Sequence, residues 1–472
     1  MSKPTTSPAD TISESMTDFP ARLSPMLVKE LRQGMRTSLF AVAFILLQTF
    51  MVLCFVANIA EPGSQDANGF FWFFIITTLM VVQPLRGFNA LSSEYQLNTM
   101  DLIQLTKLSG WRITLGKWTA LNAQTLLFIT GVLPYLVMRY FFGNVDLILD
   151  LVALLLLGLG SALASAITIG FSVFRNFLLR GILAVGSAIG LIGLFVGVKE
   201  EIFRNGIDSA EAATLVLLAI CSLYGCFFFL AFGASRIAYQ SENLSTVKRL
   251  AALTMCGLAF CLFLLPLDIG EMIIVATAII LTFAVVDAVT EALPNYARVL
   301  IPFRKNIVTR SCALFFAPGW ISGLGFFCIA AAVWLAGFGL LEHFEGDGPS
   351  GIDDWVAIIS GPNALIFPLV IIQLFFHKQT SSQFTFGIYA FTQVCLLFIS
   401  MLVLVMANAI RHYEDLIYSV IPLPSVLLFA SADGEADAPL FFYIALATSA
   451  VCLLIPRIRS HAHYRDFFKH LK

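Results

Sequence analysis

Long apolar runs recur along this 472-residue chain and constrain its fold more than any other feature. A hydrocarbon layer about 30 Å thick is crossed by a helix of roughly 20 apolar residues. Strands of a membrane barrel alternate apolar and polar residues instead of staying apolar throughout. Charged residues make up only 12% of the chain, about half of their usual share in soluble domains. The sequence therefore excludes a soluble enzyme and a disordered protein, and it predicts an all-α, polytopic helical membrane protein.

Twelve segments are long and apolar enough to be transmembrane helices. In the first half of the chain they lie near 38–60, 69–85, 117–142, 147–173, 178–198 and 212–233. In the second half they lie near 249–267, 270–290, 315–341, 354–376, 384–409 and 438–456. A thirteenth apolar segment, 416–430, is short and contains Pro422 and Pro424. We interpret it as interfacial or re-entrant, because proline removes a backbone donor and interrupts a helix.

The basic residues are sorted along the chain in a way that indicates its orientation. When the N-terminus is placed in the cytoplasm, 24 of the 28 Lys and Arg residues fall in cytoplasmic segments. The remaining four are Arg139, Lys199, Arg204 and Arg411. Because cytoplasmic loops are enriched in Lys and Arg, this pattern predicts twelve spans with both termini cytoplasmic. A thirteenth span would place the basic C-terminal tail on the outer side.

The segment before the first apolar run divides into two parts. Residues 1–20 are rich in Ser, Thr, Asp and Pro and predict a disordered cytosolic tail. Residues 21–37 predict an amphipathic interfacial helix. Its apolar row is Leu23, Leu27, Leu31 and Met35, and its charged residues are Lys29, Glu30, Arg32 and Arg36. Two interpretations stay open, a membrane anchor that sets the topology or part of a docking surface for a partner.

The segment 86–117 is the long cytoplasmic connection of the first half, and its composition is polar or mixed. Its apolar side chains scatter around a helical wheel, which is not typical of a helix lying flat on lipid. We interpret it as packing between two surfaces, one of them a candidate partner protein. It is not a phosphate-binding loop, since the nearest match, Gly110 to Trp118, has one residue too many and no Ser or Thr after Lys117.

Within this segment a Glu and a Thr come first, and a stretch rich in Leu follows. This stretch also contains a Thr and ends with a Ser, and a Gly-Lys pair comes after it. These residues are Glu94, Thr99, Leu102, Leu105, Thr106, Leu108, Ser109, Gly116 and Lys117. Upstream, residues 24–32 read Ser-Pro-Met-Leu-Val-Lys-Glu-Leu-Arg. In order and spacing, both stretches resemble the permease (transmembrane) subunit of ATP-binding cassette (ABC) transporters of the type-2 exporter class. The resemblance covers about residues 20–235.

The resemblance implies a role for each of these residues. Glu94 through Ser109 would enter a groove of a separate ATP-binding subunit. Glu94 would pair there with an Arg of the partner, and Lys107 with a carboxylate. Gly116 and Lys117 would mark the entry of the third span into the bilayer, with the Lys117 side chain reaching toward lipid headgroups.

The implied protein is an exporter permease in the cytoplasmic (inner) membrane of a bacterium. Residues 38–235 would form a six-span permease-like unit, and residues 236–472 a second six-span region with a basic cytosolic tail. The chain would be no enzyme and hold no cofactor, because ATP and Mg²⁺ would reside on the ABC ATP-binding subunit. Its other partners would be membrane lipid and a second permease, as a homodimer or heterodimer, and no nucleic acid. Two alternatives remain, an ion-coupled secondary transporter and a non-transporting membrane scaffold.

Few ionisable residues lie within the apolar runs. Asp146 and Asp150 precede or begin the fourth span, and Asp287 and Glu291 end the eighth. Each lies within a turn or two of an interface, so we expect them to be solvated and not part of a proton pathway. The nine cysteines all lie in or beside apolar segments, and we expect them to be small core residues.

Overall fold

The computed structural model describes residues 25–60, 65–92, 109–143, 145–174, 176–238, 242–265, 269–293, 299–346, 348–375, 382–409, 423–432, 439–459 and 461–471. Within these ranges the regular secondary structure is helical and contains no strand. Twelve helices in the described ranges are long and apolar enough to cross a membrane. The prediction of an all-α, polytopic membrane protein is therefore confirmed.

By packing, the chain divides into two compact units, and the boundary along the sequence lies between Arg204 and Asn205. The helices of the first unit are α1 (Pro25–Met35), α2 (Ser38–Ala60), α3 (Gln65–Ile76), α4 (Gly110–Gly143), α5 (Leu147–Phe171) and α6 (Phe177–Asn205). α3 continues through a π-helical stretch at Thr77–Val82 and a short helix at Gln83–Leu85. Five of the candidate spans in the described ranges belong to this unit.

The second unit holds the other helices of the described chain. They are α7 (Ser209–Ile237), α8 (Ser245–Phe260), α9 (Gly270–Thr290), α10 (Ile307–Phe316), α11 (Trp320–Glu345), α12 (Ile352–Phe375), α13 (Ser382–Ala409), α14 (Pro424–Ala432), α15 (Pro439–Arg459) and α16 (His461–Leu471). Two 3₁₀ turns, Cys261–Leu264 and Ile301–Arg304, follow α8 and precede α10. Among described residues this unit has seven candidate spans. The packing boundary therefore lies one span before the sequence division at 235/236.

Each of the twelve predicted apolar segments corresponds to one candidate span, with small shifts at the ends. The largest shift is at the third span, because α4 begins at Gly110 and not at Lys117. Residues 110–117 of the predicted cytoplasmic loop are thus about two turns of helix. Hydropathy reports the apolar part of a helix and misses turns that continue outside the lipid.

In its described part, the thirteenth apolar segment forms a short helix. α14 is nine residues long and packs against α12 and α13. Val426, Leu427 and Ala430 are fully buried in a core cluster that also holds Phe441 of α15. Such burial favours the re-entrant interpretation over the interfacial one. The first part of this segment, up to residue 422, lies outside the described residues.

Local chemistry sets several helix ends. The Asp146 and Asp208 carboxylates cap α5 and α7 by accepting backbone N–H groups of the first turn. α11 ends at Gly346, whose φ of +81° is the left-handed conformation that favours glycine.

All nine cysteines lie among the described residues, and all are free thiols. Cys54, Cys226, Cys256 and Cys452 are buried as expected. Cys261 and Cys328 are exposed, so the expectation of core positions is wrong for these two. Both lie on candidate spans, where lipid is as apolar as a protein core and an apolar side chain gains little from burial.

Candidate coupling site

The second span ends in a widened helical turn. In the π-helical stretch Thr77–Val82, the Gln83 N–H donates to the Thr78 carbonyl five residues earlier. Pro84 follows, and a proline inside a regular helix lacks a donor and clashes with the preceding turn. The wider π turn accommodates this proline. Thr168 Oγ1 of α5 donates to the Pro84 carbonyl at 2.9 Å, which ties the end of the span to α5.

The interfacial helix α1 lies against α4. Its partly buried positions include Leu27, Glu30, Leu31 and Gly34, which share one helical face, whereas Lys29, Arg32 and Arg36 are exposed. A Cβ atom at Gly34 would collide with the side-chain amide of Gln124. The Gln124 side chain of α4 therefore lies directly against the α1 backbone at Gly34. The basic side of α1 faces away from this contact.

Lys117 and Glu30 join the two helices by an ion pair. Lys117 Nζ lies 2.9 Å from Glu30 Oε1, and Lys117 is only 6% exposed. The expectation that Lys117 reaches toward lipid headgroups is therefore wrong. The physical reason is that α4 extends about two turns beyond the expected entry point, so that α1 covers this position and supplies a carboxylate. Gly116, its neighbour, is also buried.

Arg86 connects the end of the second span to the end of α1. Its Nη2 donates to the Gly34 carbonyl at 2.8 Å and to Thr37 Oγ1 at 3.3 Å. Its Nη1 donates to Gln83 Oε1 at 3.2 Å, and the guanidinium lies 5.3 Å from the centre of the Phe40 ring. A cation here satisfies a terminal carbonyl of α1 and opposes the negative end of the helix dipole. Burial lowers the pKa of Arg86, but a guanidinium remains charged.

The turn that follows Arg86 is anchored to α5 and α6. The Leu91 N–H donates to Ser172 Oγ at 3.0 Å. Arg180 Nη1 donates to Ser92 Oγ, and the Arg180 guanidinium lies 4.4 Å from the centre of the Phe88 ring. Arg180 is buried and not free on the cytoplasmic surface. The entry to the predicted coupling segment is thus fixed at Ser92.

The exit from that segment is fixed as well. Ser109 Oγ accepts the Arg112 N–H at 3.4 Å, at the start of α4. The predicted partner-contacting residues between the two anchors lie outside the described residues. They are Glu94, Thr99, Leu102, Leu105, Thr106 and Lys107. The described part of the site is therefore the base of the predicted coupling segment, formed by α1, the end of α3 and the start of α4.

The structure brings together two stretches that the sequence analysis singled out separately. Glu30 of the interfacial helix and Lys117 of the third span are 87 positions apart and form one contact. Sequence analysis missed Arg86, Gln124 and Arg180 as members of this base. A signal for Arg86 was present, because a cation at the end of a helix can donate to backbone carbonyls at a helix C-terminus. Nothing local to Gln124 indicates that it meets Gly34.

The ion pair makes a testable contribution to the docking of α1. Replacing Lys117 with Met leaves the half-buried Glu30 carboxylate without its partner, which is expected to cost about 1–3 kcal/mol of local stability. Hydrogen exchange of the α1 backbone is expected to accelerate by about tenfold for each 1.4 kcal/mol lost. Lys29→Met removes an exposed charge from the same helix and should leave this exchange unchanged. Equal exchange in both variants would show that the pair does not hold α1.

A second group of charges, which sequence analysis missed, is buried in the second unit. Asp287 of α9 is 4% exposed, accepts from Lys248 Nζ of α8 and lies 3.4 Å from Arg236 Nη2 of α7. Arg249 Nη2 donates to Glu291 Oε2 at 3.1 Å. Hence the expectation that Asp287 and Glu291 are solvated is wrong, because Arg236 of α7 and Lys248 and Arg249 of α8 pair with these carboxylates.

Arg249 also organises the connection between α10 and α11. Its Nη1 donates to the carbonyls of Phe315 and Ala317, at 2.9 Å and 2.7 Å, and to Ser322 Oγ at 3.0 Å. Its Nη2 donates to the Gly319 carbonyl at 3.2 Å. The guanidinium therefore satisfies carbonyls at the C-terminal end of α10 that no helical turn can reach.

A buried ion pair also lies in the first unit, between the C-terminal part of α4 and the first turn of α5. Arg139 Nη1 of α4 is 3.5 Å from Asp150 Oδ2 of α5, and Asp150 is 1% exposed. Arg139 Nη2 donates to Asn68 Oδ1 at 2.6 Å. The expectation that Asp150 is solvated is wrong, because this carboxylate is buried beside Arg139 of the neighbouring helix. Asp146, one turn earlier, is exposed as expected.

Comparison of the chain with protein-family models, with curated proteins and with solved structures gives no match. Within the described ranges, no three His, Cys, Asp or Glu side chains are grouped as metal ligands.

Proposed function

We propose that this chain is the permease subunit of an ABC-type exporter, whose spans form the translocation pathway. The observation that carries the proposal is the convergence of α1, the end of α3 and the start of α4 at the base of the segment that resembles a coupling region. Lys117–Glu30 and Arg86–Gly34 connect these three elements. ATP and Mg²⁺ bind to a separate ABC ATP-binding subunit.

A base of this kind suits the transmission of force. A partner that moves residues 93–108 pulls on Ser92 at one end and Ser109 at the other. Ser92 is held by Arg180 of α6, and Ser109 begins α4. A packed element with fixed anchors moves as a body, so a displacement at the partner surface reaches the spans. The exposed Lys29, Arg32 and Arg36 extend the same surface.

The ion-coupled alternative has one observation in its favour, since Asp150 and Asp287 are buried in candidate spans. Each of these carboxylates lies beside a buried cation, Arg139 or Lys248. A carboxylate with a permanent cationic partner is suited to joining helices more than to taking up and releasing a proton. We therefore place the ion-coupled transporter, and the scaffold without transport, behind the permease.

The test is reconstitution with the ATP-binding subunit proposed as its partner. The full chain is purified with that subunit, and ATP hydrolysis is measured with and without the permease. A double variant, Glu94→Gln with Thr99→Ala, is expected to reduce the stimulation of ATPase activity by about tenfold, the size of a typical coupling free energy. Glu271→Gln is the matched control, because Glu271 is exposed in the first turn of α9, outside the coupling base.

Three outcomes separate the alternatives. Loss of stimulation in the double variant alone supports the docking role of residues 93–108. If complex formation and stimulation are both unchanged, the docking assignment is wrong. Substrate movement driven by an ion gradient in vesicles that contain this chain alone would instead favour the secondary transporter.

A further inference from the structure

The C-terminal helix α16 forms a basic groove with the end of α15. Six side chains line an open cavity of about 540 Å³. They are Arg457, His461, Tyr464, Arg465, Phe468 and Lys469. Four of these six can carry positive charge, and none is acidic. We call this cavity the basic groove.

The apolar face of α16 is already occupied by the second unit. Phe467 and Leu471 are buried, and the Tyr464 ring meets Trp320 of α11 edge to face, with centroids 6.3 Å apart. Arg304 Nε donates to the His470 carbonyl at 2.7 Å and caps the end of the helix. The orientation of α16 is therefore fixed by its own chain, and the groove side remains outward.

The cations of the groove have no acidic partner among the residues that the structure describes. Arg457, His461, Arg465 and Lys469 follow one another at intervals of four residues, and all are exposed. In the described part of the chain, no carboxylate lies within ion-pair distance of any of the four. By contrast, the buried cations Lys117, Lys248 and Arg249 each have a carboxylate partner from another helix or helix end. A row of unpaired cations with a fixed shape is an anion site.

Two further features of the groove favour a phosphate group. α16 begins at His461, and the N-terminal end of a helix carries partial positive charge. Burial raises the pKa of Tyr464 to about 12, although Arg457 opposes the shift. The phenol thus keeps its proton and can donate to an anionic oxygen.

The position of the groove indicates where the phosphate comes from. α15 is a candidate span that ends at Arg459, so the groove lies where this span leaves the hydrocarbon. Phe468 is 43% exposed beside Lys469, an apolar ring next to a cation, as at a lipid interface. We propose that the basic groove binds the phosphate headgroup of an anionic phospholipid from the adjacent leaflet.

The test measures lipid retained by the full chain purified in detergent. Native mass spectrometry counts bound phosphatidylglycerol and, separately, zwitterionic phosphatidylethanolamine. A triple variant, Arg457→Gln, Arg465→Gln and Lys469→Gln, is expected to weaken phosphatidylglycerol binding by about tenfold or more, since each basic residue at such a surface contributes several-fold. Phosphatidylethanolamine binding should not change.

The matched control removes the same charge elsewhere in the second unit. Lys305, Arg310 and Arg459 are exposed and lie outside the groove. Replacing all three with Gln should change phosphatidylglycerol binding by no more than about a factor of two. An equal loss in both triple variants would overturn the proposal in favour of a diffuse surface charge. Displacement of the bound lipid by inorganic phosphate would overturn it in favour of a soluble anion.

A second measurement does not depend on the folding of the triple variant. A photoactivatable benzophenone side chain at Phe468 is placed in the otherwise unchanged protein. In vesicles of phosphatidylglycerol and phosphatidylethanolamine, we expect the α16 peptide to cross-link mainly to phosphatidylglycerol. Cross-linking in proportion to the vesicle composition would contradict the proposal.

Discussion

Replacing Arg249 with Met is expected to lower the free energy of unfolding by about 3–5 kcal/mol, because it breaks a buried ion pair and removes hydrogen-bond donors from the connection between α10 and α11. Arg249 is 2% exposed. Without its guanidinium, Glu291 loses a charge partner and the Phe315 carbonyl loses a donor. The carbonyls of Ala317 and Gly319 still accept from the Ser322 hydroxyl, so the cost falls mainly on Glu291 and Phe315.

The measurement is reversible unfolding of the purified chain in mixed micelles by a denaturing detergent. Arg310→Met is the control, since Arg310 is exposed on α10 in the same unit and should change stability by less than about 0.5 kcal/mol. Arg249→Lys is expected to fall between the two, because an ammonium cannot reproduce the fork of the guanidinium. If the Arg249 and Arg310 variants are equally stable, Arg249 does not hold the connection between α10 and α11.

Replacing Asp287 with Asn is expected to cost a similar amount, about 3–5 kcal/mol. The substitution keeps the shape of the side chain and removes only its charge. Lys248 and Arg236, whose side chains are only 2% and 4% exposed, then lose the carboxylate that both of them contact. Glu271→Gln at the opposite end of α9 is the control for the loss of one carboxylate from the same helix.

A second substitution separates charge imbalance from loss of packing. Adding Lys248→Met to Asp287→Asn removes one uncompensated cation, and we expect it to restore about 1–3 kcal/mol as a coupling energy. Additive effects in this double-mutant cycle would mean that the pair does not interact. The same detergent unfolding experiment serves for all four proteins of the cycle.

The span count could be predicted because it follows from one constraint. Backbone groups in lipid must be satisfied within the segment, so long apolar runs become helices. Residues 110–117 could not be assigned in this way, because their helix is stabilised by contact with α1 and not by lipid. For the same reason hydropathy gave no indication that α14 is buried among spans.

The environment of the charges could not be predicted from position along a span. Asp287 lies one turn from the end of α9, and depth alone suggests water there. Asp287 is buried because Arg236 of α7 and Lys248 of α8 contact it. These contacts depend on tertiary packing and not on the local sequence. Lys117 shows the same limit, since its partner Glu30 lies 87 positions away. The basic residues indicate a side of the membrane, but several of them act inside the protein.

For the predicted coupling segment, the order of the residues indicated more than their periodicity did. Ser109, Gly116, Lys117 and the helix at Pro25–Met35 all lie at the base that the structure describes. The roles of Arg86 and Gln124 could not be predicted from the sequence, because they depend on where α1 packs. A local pattern can predict which elements belong to a site, whereas the contacts between those elements depend on packing between helices.

The packing boundary between Arg204 and Asn205 has a consequence for how the protein can be divided. Within the described ranges five candidate spans precede it and seven follow it. An odd number of crossings leaves the two ends of a fragment on opposite sides of the membrane. A fragment that starts at Asn205 would thus have its N-terminus and its C-terminus on opposite sides of the membrane. Fragments cut at 235/236, with six crossings each, would have both ends on the same side.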